Sequence, residues 1–216
     1  MKKLNLICAY DALCGWCFGF GPVLLHLQEE FAGQLDFEMI SGGMITGASA
    51  GPLANMAGFI RNAYPVVEQH TGIRFGEGFL KNLDGGNVVF RSLEPGNVLT
   101  VVKQLKPEVQ VAAAHQIQCL IYRDGINPVD YLAYKPIFDF YELDWKTVSG
   151  LLSSSETASA TVNEFAQIQK WKIQGFPACI LEDAEGNLTG ISSGFLPAKE
   201  LTSRLRNRIQ EKQAEK

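Results

Sequence analysis

Apolar positions change their period twice within the first forty residues. Leu4 to Tyr10 is apolar apart from Asn5 and predicts a strand, whereas Leu24, Leu25, Leu27 and Phe31 recur at helical spacing. Gln34 to Ile40 then alternates, with Leu35, Phe37 and Met39 on one face, the period of a half-buried strand. Strand, helix, strand favours a parallel pair joined by a right-handed crossover. Ser41-Gly42-Gly43 breaks the pattern, and from Gly51-Pro52 to about Leu152 the periodicity is mostly helical, punctuated by glycine and proline. The clearest helix there follows Pro107, where Val109, Ala113, Ile117, Leu120 and Ile121 recur until Asp124-Gly125. Further helices are expected after Pro52, after Pro95, after Pro128, and after Asp144 as an N-cap.

Beyond this block, Ser153 and Glu156 have the spacing of a capping box, with Val162, Phe165, Ile168 and Lys172 continuing the helix toward Gly175. Pro177 to Glu182 then reads as a strand, Asp183 to Asn187 as a hairpin turn, and Asn187 to Ile191 as the partner strand. A last helix follows Pro197 through Leu201, Leu205 and Ile209 to a charged, frayed tail from Gln210 to Lys216. The expected fold is therefore α/β. Residues 1–51 and 153–216 have thioredoxin-fold connectivity, and residues 52–152 form a helical insertion subdomain. The aromatic residues Phe79, Tyr131, Tyr134, Phe138, Phe140, Tyr141 and Trp145 give the insertion apolar surface to bury.

Composition narrows the function classes. The chain has 216 residues, is 46% hydrophobic and carries a formal charge of −4, so it can bury a core and offers no basic footprint for nucleic acid or an anionic membrane surface. No apolar run reaches the roughly 20 residues of a membrane span. Met1 to Ala9 begins like a signal peptide, but Asn5, Tyr10 and Asp11 leave its apolar part too short, and a strand in a cytoplasmic protein is expected instead. Five cysteines at irregular spacing do not make a disulfide framework and fit a reducing compartment. His26, His70 and His115 are scattered, without metal-ligand spacing, and read as surface or packing residues.

The candidate chemistry is Cys14-Gly15-Trp16-Cys17, at the junction of the first strand and the first helix. Unpaired N–H groups and the macrodipole at a helix start stabilise an anion, so Cys14 is expected to ionise more easily than a free thiol and to act as nucleophile. Cys17, one turn on and more buried, would close a disulfide with it. Pro22 lies within the helix and is expected to kink it. Cys8, Cys119 and Cys179 read as buried apolar side chains. Cys179, two residues from Pro177, is also near enough in sequence to reach the active site.

The sequence resembles the DsbA-like branch of the thioredoxin superfamily, and its opening is similar to the FrnE-like group of predicted disulfide isomerases. The FrnE-like signature, D-x-x-C-x-W-C-(F/Y/W)-G-F, is matched by Asp11-Ala12-Leu13-Cys14-Gly15-Trp16-Cys17-Phe18-Gly19-Phe20. Ser92-Leu93-Glu94-Pro95 and Gly175-Phe176-Pro177 also resemble the family. The resemblance implies a cis-proline loop at Phe176-Pro177 that faces the cysteines and binds an extended peptide. Trp16 then reads as a substrate-facing platform or as area buried against the helical block. Asp11 reads first as a turn or cap residue, or, if buried near the pair, as proton acceptor for Cys17.

The activity implied is that of a protein-disulfide oxidoreductase or isomerase, working by thiol–disulfide exchange on a thiol or disulfide protein substrate or glutathione, with no metal or organic cofactor. Gly15 and Trp16 bring no positive charge, which predicts a potential between the DsbA and thioredoxin extremes, roughly −120 to −270 mV. Two alternatives stand beside it. Kappa-class glutathione transferases and 2-hydroxychromene-2-carboxylate isomerases share the interrupted fold and use glutathione, but generally lack the second cysteine. A metal-binding thiol module would need ligands beyond Cys14 and Cys17.

Overall fold

The computed structural model describes residues 4–214. Its first unit is β1 (Leu4–Tyr10), α1 (Gly15–Glu30) and β2 (Leu35–Ser41). The insertion follows, with β3 (Gly51–Pro52), α2 (Ala57–Thr71), α3 (Glu77–Leu83), β4 (Val89–Phe90), α4 (Leu93–Leu105), α5 (Gln110–Cys119), α6 (Lys135–Phe140) and α7 (Trp145–Leu152). The chain then returns through α8 (Ser155–Lys170), β5 (Ala178–Glu182), β6 (Leu188–Ser193) and α9 (Ala198–Ala214). The main sheet has the order β2-β1-β5-β6, with β1 parallel to β2 and β5 antiparallel to both β1 and β6.

β1 reads as an unbroken apolar run because it is central and covered on both faces. Leu6, Cys8 and Tyr10 lie in the main core with Leu24 and Leu27 of α1 and Leu201 and Leu205 of α9. Ile7 and Ala9 lie in a smaller cluster with Ile40, Ala178 and Ile168 of α8. The main core continues without a break into the insertion through Phe79, Phe90, Leu99, Ile117 and Phe138. Close approach of α1 makes this continuity possible. A Cβ on Gly19 would sit 2.5 Å from Thr71 at the end of α2, and one on Gly21 would sit 2.1 Å from His115 Nδ1 on α5.

The insertion, together with α8, also completes the sheet edge. β2 is an outer strand, and its unpaired backbone groups need partners. Gln110 of α5 accepts from Met39 N at 2.9 Å and donates to Phe37 O at 3.1 Å. Glu164 of α8 accepts from Ser41 N at 2.7 Å, while Lys103 of α4 donates to Met39 O at 2.7 Å and pairs with Glu164. Side chains thus continue the ladder where a fifth strand would stand.

Several boundaries differ from the sequence reading, each for a local reason. Ser153 caps the C-terminal end of α7 and donates to Ser149 O at 3.0 Å, so the N-cap of α8 passes to Ser154, which accepts from Thr157 N at 3.1 Å. Val162 faces solvent, because the buried stripe of α8 is Thr157, Thr161, Phe165 and Ile168. Thr161 is satisfied inside by Thr100 at 2.8 Å, so a polar pattern conceals a buried face. α8 stops at Lys170, short of Lys172. The helix after Pro107 ends in a π-helical turn, Leu120–Asp124, and the helix after Pro52 begins only at Ala57. The tail from Gln210 stays helical to Ala214, and the rest of it lies outside the described residues. Among the described residues no helix is long and apolar enough to cross a membrane.

Candidate active site

The turn between β1 and α1 is closed by Cys14 N donating to Asp11 O at 3.0 Å, and Cys14 O accepts the first helical bond, from Phe18 N, at 3.1 Å. Cys14 is the extended N-cap of α1, with φ −96° and ψ 113°, so its side chain leaves the helix axis at the end where amide hydrogens are unpaired. Its Sγ lies 3.6 Å from the carbonyl oxygen of Phe176, whose peptide bond to Pro177 is cis. Pro177 O accepts from Gly194 N at 2.8 Å, which ties the loop to the end of β6. The Phe176 ring lies over Gly42, where a Cβ would come within 2.2 Å of it, so the break after β2 makes room for this loop.

Cys17 lies one turn further into α1, at 2% exposure. Burial raises its thiol well above the ordinary value, and the hydrogen bond with Cys14 adds to the effect. The structure therefore brings together Cys14, Cys17 and the Phe176-Pro177 loop, with one sulfur at the mouth and one behind it.

Asp11 is fully buried beneath this turn. Its carboxylate accepts from Leu13 N at 2.9 Å, Met44 N at 2.7 Å and the Ser92 hydroxyl at 3.1 Å. Burial raises its pKa above the ordinary value, and these bonds oppose the rise. The turn role read from the sequence is present, and it extends to the loop after β2 and to the start of α4. Ser92 also accepts from Ile45 N at 2.9 Å, which gives the Ser92–Pro95 segment a place beside the site. Gln118 of α5, buried at 1% exposure, donates to Asp11 O at 3.2 Å and Cys14 O at 3.4 Å. Sequence reasoning missed Gln118. Its signal was a lone amide on the otherwise apolar stripe of Ala114 and Ile121.

The aromatic residues around the cysteines divide by helical face. Trp16 and Phe20, one turn apart on α1, both contact Phe195, with centroids 6.2 and 6.1 Å away. Trp16 also meets His70 edge-on at 5.8 Å, so it is half-buried and at the same time lines the groove. Phe18 points the other way, to Phe75 and Tyr122 at 5.4 Å each, and so docks the insertion on α1.

A cavity of about 340 Å³ opens beside Cys14. Met44, Met56, Phe59, Tyr64 and Phe176 are among its walls, and no charged residue is among the described residues that line it. Phe59, on its rim, is 76% exposed.

The architecture now has known counterparts. No protein-family model matches the sequence, and no curated protein matches it closely. A candidate protein disulfide isomerase from Nitrosomonas europaea superposes with a TM-score of 0.87 at 22% identity, over 97% of this chain and 99% of that one. The chain has the DsbA-like thioredoxin fold. The cytosolic disulfide reductase DsbM from Pseudomonas aeruginosa gives 0.80 at 22% identity, over 95% and 98%, and has also been solved with GSH. Reduced DsbA1 from Neisseria meningitidis gives 0.60 at 12% identity, over 99% and 88%. In this fold the remaining cysteines lie away from the candidate pair. Cys179 Sγ meets Cys8 Sγ at 3.9 Å rather than reaching Cys14, and Cys119 Sγ lies 3.6 Å from His115 Nε2 and is only half-buried. Among the described residues no three His, Cys, Asp or Glu side chains group as a metal site.

Proposed function

We propose that the chain is a thiol–disulfide oxidoreductase of the FrnE-like kind, acting in a reducing, cytoplasmic compartment. The observation that carries this reading is the position of Cys14 Sγ, at the start of α1, 3.6 Å from Phe176 O and open to an apolar groove, with Cys17 buried behind it.

In the forward direction the Cys14 thiolate attacks one sulfur of a substrate disulfide. The substrate S–S bond breaks, the Cys14–substrate bond forms, and one substrate thiolate leaves. Cys17 then gives up its proton and attacks Cys14 Sγ, releasing the second thiolate and leaving the Cys14–Cys17 disulfide. Oxidation of a substrate dithiol runs the same steps backward. Because Cys17 holds its proton firmly, the resolving step requires an acceptor. Asp11, buried beneath the turn that its hydrogen bonds hold, is the candidate acceptor for this proton. The Phe176-Pro177 loop would pair with an extended peptide, and Trp16 would form the opposite wall.

The uncharged groove favours a cysteine next to apolar residues in a protein substrate, with glutathione serving as the small redox partner. Redox titration of the Cys14/Cys17 pair against glutathione, followed by mass spectrometry of disulfides trapped on the Cys17→Ser variant, tests this. Trapped partners joined through Cys14 are expected. An unreactive Cys14 with no trapped partner overturns the reading, and glutathione-dependent turnover of a small electrophile that survives Cys17→Ser would place the chain with the glutathione-using enzymes instead.

A further inference from the structure

The exchange mechanism leaves Cys8 and Cys179 unused. They are direct partners across the antiparallel β1–β5 ladder, with sulfurs 3.9 Å apart and exposures of 1% and 0%. Directly opposed residues in such a ladder have Cα atoms about 4.5 or 5.5 Å apart, and both spacings lie inside the roughly 4.4–6.8 Å that a disulfide spans. Closing the bond therefore requires side-chain rotation and no strand displacement.

We propose that Cys8 and Cys179 are a second, buried redox pair, which hydrogen peroxide or another small hydroperoxide oxidises to a cross-strand disulfide. The bond would staple the strand that leads to Cys14 onto the strand that follows Pro177.

One local feature sets Cys179 apart as the attacking sulfur. The ladder between β5 and β6 shifts register between Cys179 and Ile180, which loosens the sheet at this point. Both sulfurs are shut from solvent in the resting sheet, and the oxidant reaches Cys179 when the ladder opens at this shift, beside a surface cleft of about 410 Å³ that lies against the same strands. In the first step Cys179 sulfur attacks the peroxide oxygen, the O–O bond breaks, and a sulfenic acid and water form. Cys8 sulfur then attacks the sulfenic sulfur, the S–O bond breaks, and a second water leaves with the Cys8 proton. Overall, two thiols and one peroxide give one disulfide and two waters.

The test uses the full chain as the Cys14→Ser/Cys17→Ser/Cys119→Ser variant, treated with hydrogen peroxide, denatured and alkylated. The expected result is loss of both alkylatable thiols, a mass lower by two hydrogens, and a peptide pair linking Cys8 to Cys179 that reductant separates. The proposal is overturned by two thiols that remain alkylatable, by sulfinic or sulfonic acid without a link, or by a link between two chains. If the triple variant does not fold, the same mapping on the wild-type protein decides. A Cys8–Cys179 link beside any Cys14–Cys17 link supports the proposal, and alkylated Cys8 and Cys179 beside an oxidised active-site pair refutes it.

Discussion

Asp11 combines full burial with hydrogen bonds to three separate segments, so its removal should be felt beyond the turn it closes. Asp11→Ala leaves Leu13 N, Met44 N and the Ser92 hydroxyl without this partner and should cost on the order of 3 kcal/mol in denaturant unfolding. Its ionisation also carries a sign. Burial raises the folded pKa above the ordinary 3.8, so the folded protein binds this proton more tightly than the unfolded chain. The resulting stabilisation is complete below pH 3.8 and fades as pH rises through the folded value. Midpoints of the wild type measured against Asp11→Asn should therefore fall with rising pH over that window, and a flat difference would exclude Asp11 as the titrating group. At this scale the placement of Cys14 and Cys17 at a helix start was legible from residue type and spacing, whereas Pro177 opposite them followed only from the family resemblance. Ser92 and Gln118 were not legible, since a serine or an amide in a helical stretch does not reveal which distant backbone it will bind.

Elements were legible where one period ran without interruption, as in β1, the β5–β6 hairpin and the helix after Pro107. α8 was misread by one position because Thr157 and Thr161 sit on its buried face. Closure of the β2 edge could not be read at all, since Lys103, Gln110 and Glu164 are polar and lie far from β2 in sequence. Of these, Lys103 and Glu164 are 19% and 15% exposed as side chains, enough solvent to moderate their pairing. Glu164→Ala should still cost about 2 kcal/mol, because Ser41 N and Lys103 both lose a partner. In a double-mutant cycle, Lys103→Met should cost less in the Glu164→Ala background than in the wild type; strict additivity would show that the pair is not coupled. The α1–α5 contact makes a second prediction. Gly21→Ala places a Cβ against His115 and should destabilise the fold by about 1–3 kcal/mol, despite the better helix propensity of alanine, as read by thermal or denaturant midpoints.

For the whole molecule, strand and helix order alone led to an interrupted thioredoxin fold, whereas the core shared between sheet and insertion became visible only in three dimensions. The pair Gly15-Trp16 places no cation beside Cys14, and the groove adds none. The potential of the Cys14/Cys17 couple should accordingly fall between roughly −120 and −270 mV, and equilibrium with glutathione or dithiothreitol buffers that returns a value outside those limits would show that some other charge governs the thiolate. The closure of β2 also has a temporal side. Synthesis delivers β2 well before Lys103, Gln110 and Glu164, so the nascent chain carries a bare strand edge until α4 and α5 have been made, and the edge is completed only with α8. The interval between those two moments on the ribosome is when this chain is most exposed to pairing with a stranger.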